Sequence, residues 1–334
     1  METLPDQFKD ALSRIEIKGA KRTRAIEAHT EICRYLEKDE LLCSWGVDTV
    51  LIGSYARDTG IHPGKDVDVF TKLTKLDTTV APGKIFEAVR KVLVDRYGDR
   101  AEPQKRSIKV SFDSDGDGFA VDVVPAVRMG ERWAIPRRDT AKWEAPDEAE
   151  RWVETDPEKL AELATKINGT LEVDGRGAYK PTVKLIRQIR KHHFEEDQKP
   201  GGLYFELLTY WAFKAGVSGE SFAEILAATL RGIVAQLASS DSLTDPVLGR
   251  PYRPEPDPND IAIARSTFGL IAAKAEEALR LEKCAAAVNW RWILGENDRG
   301  PCFPLPPGCD EQGKPIKNVA AVAAVGAKEA SGFA

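Results

Sequence analysis

Three aspartates and a Gly-Ser pair carry the chemistry this sequence can offer. Asp66 and Asp68 alternate with Val67 and Val69. A strand repeats every two residues, so both carboxylates face one way and the valines face a core. Two adjacent carboxylates repel unless a cation lies between them, and hard oxygen ligands suit Mg²⁺ or Mn²⁺. Asp122 interrupts the apolar run Phe119-Ala120-Val121-Asp122-Val123-Val124, where an ionised group is costly without a cation or hydrogen-bond donors. It is the third candidate ligand and the candidate general base for an attacking hydroxyl. Three carboxylates around two ions about 3.5–4 Å apart would clamp the attacking and leaving oxygens of a phosphoryl transfer. Gly53-Ser54, just ahead of the pair, is a turn that could hold phosphate.

These residues need strand ends to position them. Asp48-Thr49-Val50-Leu51-Ile52 reads as a strand ending at Gly53-Ser54, and a helix beginning in the following turn would direct backbone N–H groups at phosphate. Lys65 to Leu73 reads as a second strand. Ser107 to Phe112 and Gly118 to Val124 read as a hairpin, and Lys84 to Tyr97 as a helix with Ile85, Val89, Val92 and Leu93 on one side. Phe8 to Leu42 reads as one long or broken helix. The pattern predicts an α+β fold, a mixed sheet with helices on one face. Beyond Pro157 it turns helical, with segments near Glu158–Ile167, Pro181–Phe194, Leu203–Ala215, Ser221–Ser239 and Asp260–Trp292. That predicts a second, all-α lobe.

Several function classes are excluded or disfavoured. Lys plus Arg is 48 against 53 Asp plus Glu, a net charge of −5, which argues against a general nucleic-acid binder. No apolar run approaches twenty residues and no charged-then-apolar leader opens the chain, so the reading is a cytoplasmic protein without a membrane span. Cys33, Cys43, Cys284, Cys302 and Cys309 follow no zinc or C-x-x-C spacing and are read as free thiols. The turn Asp113-Ser114-Asp115-Gly116-Asp117-Gly118 mimics the opening of an EF-hand, but loop position 12 falls on Val124 and the flanks are strands. It is read as a hairpin turn. His62, His192 and His193 are read as surface residues.

The order Gly-Ser, Arg57-x-Thr59, Asp66-x-Asp68 and the downstream strand with Asp122 resembles the polymerase-β-like nucleotidyltransferases. Arg57-Asp58-Thr59-Gly60-Ile61, the helix from Tyr179 to Arg190, Gly202-Leu203-Tyr204-Phe205-Glu206-Leu207-Leu208 and Trp290-Arg291-Trp292-Ile293-Leu294-Gly295 narrow the likeness. They resemble the bacterial relatives of cyclic GMP-AMP synthase and oligoadenylate synthase, the CD-NTases of antiphage signalling. The resemblance spans about Phe8 to Pro304. It implies that Gly53 and Ser54 hold the donor triphosphate and that Asp66, Asp68 and Asp122 hold Mg²⁺ or Mn²⁺, with Asp122 facing the acceptor hydroxyl. A basic residue of the second lobe's first helix contacts the triphosphate in such enzymes. Lys184, Arg187 and Lys191 share a helical face here. Aligning Leu185-Ile186-Arg187 with the eukaryotic synthases selects Arg190, whereas a one-residue slip selects Lys191. Gly202-Leu203-Tyr204 departs from the Ser or Gln-Tyr expected before Glu-Leu-Leu.

The turn to a helical pattern near Pro157 and the small-residue ending from Gly326 to Ala334 divide the chain into a catalytic core with an N-terminal long helix over residues 1–156, a cleft-closing helical lobe over 157–309 and a flexible tail over 310–334. The resemblance implies an enzyme that joins NTPs into a cyclic di- or trinucleotide second messenger, releases pyrophosphate, and reaches a downstream effector through that product. No activating DNA or RNA is expected, given the acidic balance and the lack of a zinc-binding insertion. Operon-encoded regulators acting on the tail are a further expectation. Two alternatives stay open: a transferase that modifies a protein, tRNA or small molecule, and a non-catalytic nucleotide-binding regulator.

Overall fold

In the computed structural model, which describes residues 2–64, 66–112, 118–195, 200–253 and 258–316, the first segment is broken into two helices. These are α1 (Pro5–Ile15) and α2 (Ala20–Leu36). Glu16 is extended and Gly19 has a φ of 65°, a region that glycine enters without steric cost. The short α3 (Glu40–Ser44) follows, capped by Asp39, whose carboxylate accepts from the Leu42 N–H.

Seven strands then form one sheet: β1 (Val47–Ile52), β2 (Asp66–Asp77), β3 (Ala101–Pro103), β4 (Ile108–Phe112), β5 (Phe119–Met129), β6 (Arg132–Pro136) and β7 (Trp152–Thr155). The strand order is β1-β2-β5-β4-β3, with β6 pairing β5 and β7. Only β2 and β5 run parallel. The single-turn α4 (Gly53–Ala56) joins β1 to β2, and the crossover that a parallel pair needs runs from β2 through the long α5 (Pro82–Tyr97), β3 and β4 to β5. Val67, Val69, Val121 and Val123 are buried against α2 and α5 through Ile32, Leu36, Ile85 and Val89. The opposite face carries Phe70 on β2, Ala126 on β5 and Trp133 and Ile135 on β6, and it is the face on which Asp68 and Asp122 must lie. The strands β6 and β7 were not read from the sequence.

The short α6 (Glu148–Arg151) precedes β7 and packs on it, and the helical half comprises α7 (Pro157–Asn168), α8 (Tyr179–His193), α9 (Gly202–Lys214), α10 (Phe222–Ser239), α11 (Pro258–Ala278) and α12 (Lys283–Leu294). The stretch expected as one helix to Trp292 is two, interrupted at residues 279–282. Both halves keep the same apolar period, so the pattern carries no mark of the reversal. By length and composition α10 alone among the described residues could cross a membrane, yet its Ile225, Leu226, Leu230, Ile233 and Leu237 are fully buried in the protein. Helix α1 packs here rather than on the sheet: Phe8 meets Trp290 and Phe303 edge-on, each at 5.1 Å.

Two expectations are corrected at the C-terminal end. Cys284 and Cys309 form a disulfide, with Cα atoms 5.2 Å apart, while Cys33, Cys43 and Cys302 are free. Their separation of 25 residues is bridged only because the chain turns back onto α12. Residues 310–316 also fold back instead of trailing: Arg291 pairs with Glu311 at 2.7 Å, and the Ile316 N–H donates to the Gly308 carbonyl at 2.8 Å. The expected tail end, Ser331–Ala334, and the Asp113–Asp117 turn lie outside the described residues.

Candidate active site

The site grows from the parallel pairing of β2 and β5. Asp68 is directly in register with Asp122, and Asp66 with Ala120. Neighbours in register share a face of the sheet, as do residues two apart, so all three carboxylates rise on the side away from α2 and α5. Ile52, the last residue of β1, pairs with Asp68 and delivers Gly53 beside it. Gly53 has a φ of 72°, and a Cβ there would collide with the Asp68 carboxylate. The turn and the acidic strand are thus built around a missing side chain.

Gly53, Ser54, Asp66, Asp68 and Asp122 all line one cleft of about 1130 Å³ between the sheet and the helical half. Asp66 is exposed, while Asp68 and Asp122 are half-buried. Burial pushes the Asp68 carboxyl up to about 6, reinforced by the charges of Asp122 and Asp66 and opposed by Arg57 and Arg187. Burial likewise pushes Asp122 up to about 6, reinforced by Asp66 and opposed by Lys109 and a Ser107 hydrogen bond. Asp122 Oδ1 is buried with no hydrogen-bond partner. A buried acceptor without a donor, beside two further carboxylates, is what a divalent cation would satisfy. Among the described residues no group of three His, Cys, Asp or Glu side chains is placed to hold a metal ion by itself; Mg²⁺ is commonly held by one or two carboxylates together with substrate phosphates and water.

The basic candidates of α8 separate. Arg190 and Lys191 line the cleft, and so does Arg187. Lys184 does not: it is 5% exposed and pairs with Glu16 and Asp58, each at 3.1 Å. Its place on the shared helical face was read correctly, but that face first meets the loop after Ser54. Leu203 lines the cleft, whereas Tyr204 is buried and its hydroxyl donates to the Asp241 carbonyl at 3.3 Å.

The sequence profile of the Second Messenger Oligonucleotide or Dinucleotide Synthetase domain (SMODS) matches residues 1–168, the stretch that supplies all five residues of the Gly-Ser and aspartate constellation. The chain belongs to the SMODS family. It is 26% identical over 316 residues to the cyclic AMP-AMP-AMP synthase of an Acinetobacter species, covering 88% of this chain and 84% of that protein. The fold is similar to that of Escherichia coli MS115-1 CdnC bound to ATP, with a TM-score of 0.67, 17% identity, and coverage of 91% of this chain and 100% of that one. It is also similar to the same CdnC in complex with HORMA-deltaN, with a TM-score of 0.66, 15% identity, and coverage of 90% and 99%. The expected α+β nucleotidyltransferase core with an appended helical lobe is therefore the observed fold, and SMODS membership makes the chain a synthetase of nucleotide second messengers.

Sequence reasoning about this SMODS protein missed one cluster. Arg57 was noticed only as part of a motif, yet its Nε and Nη2 donate to the two oxygens of Glu206 at 2.6 and 3.1 Å. Glu206 sits in the apolar run Leu203-Tyr204-Phe205-Glu206-Leu207-Leu208, the same anomaly that singled out Asp122. His62 is likewise not a surface residue. It is 7% exposed, because its N–H donates to Ile15 and its ring Nε2 lies 2.6 Å from Asp298 Oδ1. His192 is exposed and His193 half-buried, with His193 Nε2 2.9 Å from the Ile293 carbonyl.

Proposed function

We propose that Asp66, Asp68 and Asp122 hold divalent cations in this cleft and that the protein joins NTPs there into a cyclic di- or trinucleotide. Asp68 lying in register with Asp122, beside a glycine that leaves room for its carboxylate, is the observation that carries this reading. Bound Mg²⁺ or Mn²⁺ would supply charge neutralisation for the triphosphate and for the pyrophosphate that leaves. Gly53 and Ser54 hold the donor triphosphate, with backbone approach permitted by the absent Cβ. Arg190 and Lys191, on the opposite wall, balance its charge. Asp122 accepts the proton of the attacking ribose hydroxyl.

The cleft exceeds the roughly 300–1,000 Å³ typical of a single small-molecule pocket. That supports a donor and an acceptor nucleotide bound together. Since the similar Acinetobacter protein is a cyclic AMP-AMP-AMP synthase, ATP is the first substrate to try. CdnC has been captured with a HORMA protein, which makes a protein regulator the partner class to test, and a cytoplasmic site of action accords with NTP substrates.

The decisive experiment incubates purified protein with labelled NTPs, singly and in pairs, with and without Mg²⁺. A phosphatase-resistant small product that disappears in Asp68→Ala and Asp66→Ala supports cyclisation. Label on an added acceptor, or binding without turnover, would replace this reading with one of the two alternatives.

A further inference from the structure

The segment 57–62 joins the donor-phosphate turn to Asp66, and the helical half grips it along its length. Arg57 and Glu206, on α9, make their two-point pair while 7% and 1% exposed. Thr59, fully buried, donates its hydroxyl to the same Glu206 carboxylate at 3.2 Å. Its carbonyl accepts from Arg187 Nη1 at 3.1 Å. Asp58, in the left-handed region at a φ of 55°, pairs with Lys184. The His62 carbonyl accepts from Lys191 Nζ at 3.2 Å. Gly202, at the start of α9, lets the chain pass the Arg187 guanidinium, which a Cβ would approach to 2.9 Å.

This segment is also bonded back to the turn. The N–H groups of Thr59 and Gly60 donate to the Ser54 carbonyl at 2.9 and 3.2 Å, and that of Arg57 to Gly53 at 3.3 Å. A shift of α9 relative to the sheet is therefore passed through Arg57 to Gly53 and Ser54. A buried ion pair is a poor device for stability alone, since its desolvation cost often matches or exceeds what an apolar contact would supply. A guanidinium fork on a carboxylate does fix both distance and angle. We propose that Arg57 and Glu206 are positioning residues that set the donor-phosphate turn from the helical lobe, a role that rests on Gly53 and Ser54 holding the donor triphosphate. Arg57 also lines the cleft, but its guanidinium fork is engaged by Glu206, so the role proposed is to position the turn and not to act on the reacting atoms.

Two variants test this. Arg57→Lys keeps the charge and loses the fork, and Arg57→Met combined with Glu206→Met replaces the pair by apolar groups so that neither of its two charges is left buried alone, while Thr59 loses an acceptor. Each is compared with wild type by thermal melting, by kcat and KM for ATP, and by calorimetric affinity for a non-hydrolysable ATP analogue and for AMP, all with Mg²⁺. The expected result is melting close to wild type, analogue affinity weakened by at least about tenfold, and AMP affinity unchanged. Folded variants that bind the analogue within about threefold of wild type overturn the proposal. So does a loss shared equally by analogue and AMP, which would mean a loosened cleft and no specific effect on the triphosphate. Should the double variant fail to fold, Arg57→Lys decides alone. A wild-type protein that binds the analogue but makes no cyclic product refutes the proposed function and leaves these affinities to judge the positioning role.

Discussion

Gly53 is the position where one methyl group should matter most. Alanine there would meet the Asp68 carboxylate and hold a positive φ that side chains resist. Gly53→Ala should lower cyclic-product formation by at least about 100-fold while circular dichroism stays unchanged. Asp68→Asn keeps the shape and removes the charge, and product formation measured at saturating Mg²⁺ and NTP should fall at least as far. Asp68 and Asp122 also link stability to pH. Both carboxyls are pushed up to about 6 by burial and by neighbouring carboxylates, against about 3.9 in an unfolded chain. Their contribution to stability is therefore fully present below about pH 4 and lost as pH rises through about 6. With chelator present, this site should favour a higher melting temperature at pH 5 than at pH 7. Added Mg²⁺ should raise the melting temperature more at pH 7 than at pH 5. An equal Mg²⁺ response at both pH values in wild type, or the same pH difference in Asp68→Asn combined with Asp122→Asn, would contradict the assignment.

Helices and strands were read with uneven success, and the reason is periodicity. The hairpin of β4 and β5, with Phe112 opposite Phe119, and helices α5, α7, α8, α9 and α10 carry apolar residues at a clean spacing. The break between α11 and α12 changes no period, β7 has only four residues, and β6 is apolar at the consecutive positions Trp133, Ala134 and Ile135, so it shows no alternation. Helix α1 was recognised as a helix, but its partner lies far along the chain: Phe8, at 1% exposure, packs on Trp290 and Phe303. Phe8→Ala should therefore cost about 3–5 kcal/mol in urea denaturation. Hydrogen exchange should rise in α8 and α12 and leave β2 and β5 protected. Weakened β2 with an intact α12 would show that α1 supports the sheet instead.

The two halves meet across a cleft of about 1130 Å³, and the proposed joining of two nucleotides there makes a stoichiometric prediction. A non-hydrolysable ATP analogue with Mg²⁺ should titrate to two per chain by calorimetry, and a single site would restrict the cleft to donor alone. At its far end, the Cys284–Cys309 bond closes a loop of 25 residues. A crosslink of that span contributes about 3 kcal/mol when formed, mainly by restricting the unfolded chain. Reductant should lower the melting temperature, and Cys309→Ser should abolish that sensitivity. No shift with reductant would mean the thiols are unpaired in solution.

Local chemistry was enough to find the five residues of the constellation, because strand alternation places Asp66 and Asp68 together and a lone acid in an apolar strand demands a partner. It also sufficed for the α+β core and the helical lobe, whose patterns are short-range. The pairing of Asp68 with Asp122 in register, Lys184 being turned to Asp58 and Glu16, the burial of Glu206 on Arg57, the depth of His62 and the bond between Cys284 and Cys309 all join residues remote in the chain. Contacts of that kind depend on which faces pack against each other, and no spacing along one chain encodes them. The charge on a side chain could be read directly, but the group that answers it was decided only by folding.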